Sequence, residues 1–522
     1  MAQLKVENLS VAVDGVAALT GVGFSLAQGQ RLGLVGDSGA GKSLVARAIL
    51  GLLPPGAKAS GSITFDDQPI GSDGSSPGPR RIGAIFQDAA EAFDPLISPY
   101  NQLKSAVIRG GAEAAADRQT DSLLIEVGVA PARAMLFADQ LDLGERQRIA
   151  IAIALAGKPE LLVADEPSLH LDLIAERRVL DLIGRLSAER QMSLLLISRD
   201  LRAIAMLCER VLVLRGGQVV EAGDKQSVFG HPRHEYTRQV LTAGRYRARA
   251  LMRTPIGDTL LDVRGVTRRY RRPDISLLQP QPPVVALDNV SFTMRFGESM
   301  ALVGPAGAGK TTLGRIVAGL DRASRGELEF DSRVYHGTDL VPVNRGDIAM
   351  VFADPRPYFD PRLAIGESLA EPLGLEKQRL VDELSARMVE VVTAVGLSPD
   401  MLGRFPNEVS TAELQRFALA RAIITRPKLV VLDEPIAALD IGARGALLVL
   451  LDRLRADFGL TLLVTARDLE TVRVITDRVI VMDAGRIVET GTPAQLLEQP
   501  QHDVTKRLVA AALPDIGIVP VF

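Results

Sequence analysis

The chain has 522 residues, 47 % of them hydrophobic and 24 % charged, and a formal net charge of −3. That length leaves room for roughly two to four domains, and the slightly acidic balance excludes a global basic field for holding nucleic acid. The single cysteine, Cys208, excludes an intrachain disulfide and reads as a small buried hydrophobe in a reducing compartment.

Taken in order, the chain opens with a β-rich stretch, LKVENLSVAVDG, with no signal-peptide pattern. A short apolar strand then runs into GDSGAGKS, residues 36–43, and a helical stretch follows. This is a phosphate-binding loop in the strand–loop–helix context that it needs. Gly36, Asp37, Ser38, Gly39 and Gly41 curl the backbone so that N–H groups face phosphate oxygens, and the helix start adds partial positive charge. Lys42 supplies a full charge to the β and γ phosphates, and Ser43 offers its hydroxyl to Mg²⁺.

A largely helical, Ala-rich middle includes LDLGERQRIAIAIAL from Leu141. Two wholly apolar strands come next, LLVAD and MSLLLIS, and the first of them ends in Asp165-Glu166-Pro. Asp165 is placed to hold Mg²⁺, and Glu166 to orient or deprotonate the attacking water. Apolar runs of this kind are too short to cross a bilayer. Alternating with helices, they predict a parallel sheet covered on both faces. A β-hairpin, RVLVLRGGQVVEAG, and the tail FGHPRHEYTRQVL close this part.

The same series then recurs at a constant offset of 268 residues, from Ser43 to Thr311, Asp165 to Asp433, Arg199 to Arg467 and His234 to His502. The chain is a tandem duplication. The second copy has its own phosphate loop, with Gly304, Gly307, Gly309, Lys310, Thr311 and Thr312, and its own acids, Asp433 and Glu434. Its first strand ends at Tyr270, before a Pro-rich stretch, RRPDISLLQPQPPV, that reads as a surface loop. The expected division is a first domain at 1–245 with its tail, a linker at 246–260 and a second domain at 261–522.

At these motifs the chain resembles the ABC ATPases, in particular the fused tandem ATPases of oligopeptide, dipeptide and nickel importers. The resemblance implies two RecA-like α/β cores, each with an antiparallel β subdomain and a helical subdomain near 88–158 and 354–426. It implies ATP and Mg²⁺ as cofactors, head-to-tail pairing of the two copies, and two membrane-spanning permeases and an extracytoplasmic binding protein as partners. It also implies a peripheral position on the cytoplasmic face of the inner membrane. Gln87 matches the family's glutamine loop, which touches Mg²⁺; its counterpart is Ala353, which cannot. Asp172 and Asp440 fall on the D-loops. LDLGE and VSTAE (Val409–Glu413) stand where the family has LSGGQ, whose serine and glycines grip the γ phosphate across the pair.

Several positions depart from the family pattern. Ser410 keeps the serine, but Asp142 replaces it in the first copy, beside Leu143. Two unit charges ~4 Å apart repel by roughly 4 kcal/mol at an effective dielectric of 20, against about 1 kcal/mol for one neutral hydrogen bond. In the head-to-tail arrangement Asp142 and Ala353 fall on one composite site, built on Lys310. The other, built on Lys42, Ser43, Gln87, Asp165 and Glu166 and closed by Ser410, is better preserved. Tyr270 stands where the family stacks an aromatic on adenine, with Val13 as its counterpart; a plain strand tyrosine is the alternative. The switch histidine is arginine in both copies. Arg199 and Arg467 serve either as γ-phosphate clamps or as partners of the next acids, Asp200 and Asp468, with hydrolysis then slow or absent. The expected function is the energy-coupling ATPase of a peptide-type importer, with a hydrolysis-deficient scaffold and a soluble ATPase acting on ribosomes or nucleic acid as rivals.

Overall fold

A computed structural model describes residues 2–70, 81–87, 92–244, 256–271, 282–336, 346–373, 381–437, 439, 441–467 and 469–513. Asp440, Asp468 and most of the joint and of the Pro-rich stretch lie outside these residues. The chain forms two compact units, one essentially residues 1–245 and the other essentially 246–512. Among the described residues no helix is long and apolar enough to cross a membrane.

The first unit begins with β1 (Ala2–Val13) and β2 (Val16–Ala27), joined by a tight turn. β3 (Arg31–Val35) leads into α1 (Lys42–Leu50). β4 (Lys58–Phe65), β5 (Gln68–Pro69) and β6 (Ile82–Ile85) follow. The helical middle contains α2 (Pro99–Arg109), α3 (Ala116–Glu126), α4 (Pro131–Ala134) and α5 (Leu143–Leu155). Strands and helices then alternate: β7 (Leu161–Asp165), α6 (Leu173–Glu189), β8 (Ser193–Ile197), α7 (Leu201–Leu207), β9 (Arg210–Arg215) and β10 (Gln218–Asp224). The tail forms α8 (Lys225–Gly230) and α9 (Glu235–Gly244).

Two sheets result. One is antiparallel, in the order β2-β1-β4-β5; the other runs β10-β9-β3-β8-β7-β6 and is parallel except for β10. Every residue of β7 and β8 is buried. The reason is the two-residue side-chain repeat of a strand. Leu162, Ala164, Leu194 and Leu196 point into the core on the α5–α6 face, while Leu161, Val163, Leu195 and Ile197 join α1 and the antiparallel sheet on the other. The expected doubly covered parallel sheet is what forms.

The second unit repeats this order. β11 (Thr259–Tyr270), β12 (Val284–Arg295), β13 (Ser299–Val303), α10 (Lys310–Val317), β14 (Arg325–Phe330), β15 (Arg333–His336) and β16 (Ile348–Val351) come first. α11 (Ile365–Ala370), α12 (Val381–Ala394) and α13 (Thr411–Ile423) make its helical part. β17 (Leu429–Asp433), α14 (Ile441–Phe458), β18 (Thr461–Thr465), α15 (Leu469–Ile475), β19 (Arg478–Asp483), β20 (Arg486–Gly491), α16 (Pro493–Glu498) and α17 (Asp503–Ala511) complete it. Its sheets run β12-β11-β14-β15 and β16-β17-β18-β13-β19-β20, the same orders as before.

Among the described residues the second core buries two charges that the first does not, Glu298 and Arg455. Arg455 on α14 is 2 % exposed; its Nη2 donates to Gly297 O at 2.8 Å and to Asp477 Oδ2 at 2.6 Å. Ser187 holds the equivalent place in the first unit and donates to Ile183 O within its own helix. Arg455→Ala is expected to destabilise the protein by about 2 kcal/mol, the scale of a charged hydrogen bond, measured by urea denaturation. Cys208 is 1 % exposed and burial pushes its thiol up. It should resist a thiol reagent in native protein at pH 8 and react once denaturant is added.

Candidate functional site

Each phosphate loop sits at the carboxyl end of the central strand, β3 or β13, pressed against the neighbouring hairpin. A Cβ on Gly36 would lie 2.2 Å from Leu214 O, and one on Gly304 would lie 2.2 Å from Met482 O. Gly41 and Gly309 cap α1 and α10 with φ of +97°, where only glycine is unstrained, and a Cβ on Gly41 would strike Leu19 at 2.4 Å. These are the close approaches that glycine was expected to permit. Ser38 and Gly39 form the loop crown before Gly41, with Gly39 at φ +81° and Gly307 at +75° in the second unit.

Lys42 opens α1 and folds back over its own loop, donating to Gly36 O at 2.8 Å and Asp37 O at 2.9 Å. Lys310 does the same to Gly304 O at 2.7 Å and Pro305 O at 2.9 Å. Burial holds the Lys42 ammonium below its ordinary range, opposed by Glu166.

The acids stand two strands away, on β7 and β17. Ser43 lies beside Asp165 and draws its carboxyl down, and Thr311 Oγ1 donates to Asp433 Oδ1 at 3.1 Å. In both units the loop hydroxyl and the strand-end acid therefore meet. Burial pushes the Asp165 carboxyl up, against the Ser43 bond and the Lys42 charge. Its Oδ1 is buried with no hydrogen-bond partner. Such an oxygen, beside a hydroxyl, fits a hard divalent cation that also takes phosphate oxygens. Among the described residues no cluster of three or more His, Cys, Asp or Glu forms a separate metal centre. Gln87 and Ala353 follow β6 and β16, at the same sheet end as these acids.

Glu166 and Glu434 adopt φ of +48° and +49°, a strained setting for a non-glycine residue that turns each side chain out of its strand. Burial raises the Glu166 carboxyl, and Arg199 draws it back. Arg199 Nε stands 3.8 Å from Glu166 Oε1, whereas Arg467 Nε closes directly on Glu434 Oε2. Arg199 pairs with Glu166, and Asp200 is taken by Arg202 at 2.8 Å while capping α7. Asp200 is a helix cap, its carboxylate accepting the Arg202 N–H at 2.8 Å.

Sequence reasoning missed a second difference between the units. Thr465 Oγ1 donates to Asp433 Oδ1 at 2.6 Å and accepts the Glu434 N–H at 3.0 Å. The first unit has Ile197 at that position, which can do neither. Nothing in a hydrophobic strand pattern marks Thr465 out before the strands are paired.

Asp142 and Ser410 are the N-caps of α5 and α13. Asp142 Oδ1 accepts the Glu145 N–H at 2.7 Å and Glu145 accepts the Asp142 N–H at 3.1 Å. Glu413 makes the same reciprocal pair with Ser410, whose hydroxyl also donates to it at 2.8 Å. The fifth-position glutamates are thus capping-box partners, legible in the sequence as S/D-x-x-E. Arg133 adds a bidentate pair to Glu145. Tyr270 ends β11; its hydroxyl donates to Asp321, and the Arg268 guanidinium lies 4.4 Å from its ring centroid. One ring face is covered by Arg268.

The family model described as ABC transporter matches residues 19–169 and 287–437. A peptidoglycan transport ATP-binding protein, YejF, of Agrobacterium fabrum is 35 % identical over 98 % of this chain and 96 % of its own length. A glutathione import ATP-binding protein, GsiA, of Shigella flexneri is 33 % identical over 97 % of this chain and 89 % of its own. Among solved structures, a dimeric post-hydrolysis state of the ATP-binding cassette MJ0796 bound to ADP and Pi is 26 % identical. It covers 45 % of this chain and 99 % of that chain, with a TM-score of 0.40.

Asp165 carries a raised carboxyl, so its ionised form is disfavoured in the folded state. The associated loss of stability sets in as pH rises from the ordinary carboxylate range through the raised value. Asp165→Asn should therefore stabilise the ligand-free chain at pH 7, and the gain should vanish in acid, where both forms are neutral; melting temperatures across pH check this. Asp142→Ala should cost about 1 kcal/mol through loss of the cap, while Asp142→Ser should stay within about 0.5 kcal/mol.

Proposed function

From the premise that this chain belongs to the ABC transporter family, as a tandem ATPase, we propose that it is the energy-coupling subunit of an importer for peptides or related small solutes. The observation that carries this is the paired geometry of loop and acid in both units, on a chain that matches transport and import ATP-binding proteins over nearly its whole length. Those relatives are named for peptidoglycan and glutathione, solutes that both contain peptide bonds. They favour transport over the ribosome or nucleic-acid rival, as does the net charge of −3.

In this proposal each loop seats a triphosphate through its backbone N–H groups, and Lys42 or Lys310 exchanges loop carbonyls for phosphate oxygens. Mg²⁺, held by Ser43 and Asp165 with Gln87, or by Thr311 and Asp433, would neutralise charge on the phosphates. Glu166 orients the attacking water, with its raised carboxyl suited to accepting a proton. Arg199 then holds the γ phosphate or the glutamate. Glu434 is engaged by Arg467, and Asp433 by two hydroxyls, so the second unit's acids are less available. These contacts, with Ala353 and Asp142, support one competent and one weak, regulatory site.

Two membrane-spanning permeases and an extracytoplasmic binding protein complete the proposed system, at the cytoplasmic face of the inner membrane. In the second unit a mostly apolar cleft of about 450 Å³ lies between β16 and α13, walled by Phe352, stacked on Tyr358 at 4.0 Å, and by Arg421. Arg356 Nη2 donates to Thr411 Oγ1 at 2.8 Å, so the segment after Ala353 is tied to the start of α13. That cleft suits an inserted permease segment and transmits its movement to the signature helix.

Glu166→Gln is expected to lower steady-state phosphate release by about a hundredfold or more, the scale of a lost general base. Glu434→Gln should retain most of it. Equal losses from the two substitutions would refute the asymmetry.

A further inference from the structure

One contact enters the first phosphate loop from the tail. The Asp37 N–H donates to Tyr236 Oη at 2.9 Å. Tyr236 lies in the first turn of α9 and is 4 % exposed, with the Arg215 guanidinium 4.9 Å from its ring centroid. The tyrosine is itself held in place. Its N–H donates to His234 Nδ1 at 3.1 Å, and the N–H groups of Arg233 and His234 donate to the Glu221 carboxylate on β10 at 2.8 and 3.0 Å.

The second unit supplies an internal control. Its tail is anchored in the same way, with Gln501 N and His502 N donating to Glu489 and Val504 N donating to His502 Nδ1. Yet the tyrosine is replaced by Val504 and the loop residue by Pro305, so donor and acceptor are both gone. The loops otherwise share a backbone: φ is +97° at both Gly41 and Gly309, and +81° and +75° at Gly39 and Gly307.

The Asp37 residue is therefore tethered at both ends, by Tyr236 at its N–H and by Lys42 at its C=O. When Lys42 leaves Asp37 O for a phosphate, that carbonyl keeps its turn bond from Ala40 N–H at 3.1 Å within the loop, and the tyrosine bond is what ties the residue to the tail. In the second unit the proline ring fixes φ covalently. We propose that Tyr236 is a positioning residue of the first phosphate loop, through which the tail helix α9 sets that loop's affinity for a nucleoside triphosphate. The second loop, fixed by Pro305, is independent of its tail. The proposal rests on reading the first loop as an ATP site.

The test uses the full chain carrying Lys310→Ala, so that the fluorescent analogue MANT-ATP with Mg²⁺ reports the first loop. Tyr236→Phe should weaken binding about fivefold to tenfold, one hydrogen bond's worth. Adding Asp37→Pro, the second unit's own solution, should restore binding to within about twofold of the parent. In a Lys42→Ala chain, which reports the second loop, Tyr236→Phe should change nothing. Binding by Tyr236→Phe within twofold of its parent, no rescue by the proline, or equal weakening of the second loop would each overturn the proposal. A parent that binds no MANT-ATP overturns the ATP-site reading and this proposal with it; a parent that binds while Tyr236→Phe is silent overturns this proposal alone.

Discussion

How close a peptide loop can lie to a neighbouring β-hairpin governs everything at the two cradles. Leu214 O and Met482 O occupy the space that a side chain at Gly36 or Gly304 would need. Because that space is filled by backbone, the loop has little freedom to relax, and its amides are pre-aimed. The lysine then bonds to two loop carbonyls, which holds the crown together before any phosphate arrives. A largely apolar sheet beneath fixes the loop's distance from the acids on β7 and β17, since the central strands are packed on both faces.

On this common frame the units diverge through few atoms. Ile197 against Thr465 decides whether the strand-end aspartate has a second hydroxyl partner. The stance of Arg199 and Arg467 decides how much of each glutamate is engaged. Asp37 with Tyr236, against Pro305 with Val504, decides whether the loop leans on its tail or on its own ring. A duplication fixes the fold once and then leaves each copy free to retune its charges.

Much of this was legible beforehand. The 268-residue repeat, the glycine spacing and the apolar strands ending in Asp-Glu are local patterns, and local patterns survive in a linear text. The capping boxes at Asp142–Glu145 and Ser410–Glu413 are equally local patterns. What stayed hidden depends on chain crossings. Thr465 meets Asp433 only because β17 and β18 are adjacent and in register, and Tyr236 meets Asp37 across 199 positions. The sequence leaves Arg199 open between a phosphate clamp and a pair with its neighbour Asp200; in the fold Asp200 caps α7 and Arg199 stands 3.8 Å from Glu166 at the end of the adjacent strand.

The caps on α5 and α13 carry a longer consequence. Aspartate and serine serve equally well at the start of a helix, so exchanging one for the other leaves folding untouched. Thermodynamic purging cannot then guard this position: a lineage that drifts from hydroxyl to carboxylate there keeps an intact, soluble, assembled protein. The scaffold therefore keeps no record of the exchange, and Asp142 and Ser410 head their helices alike.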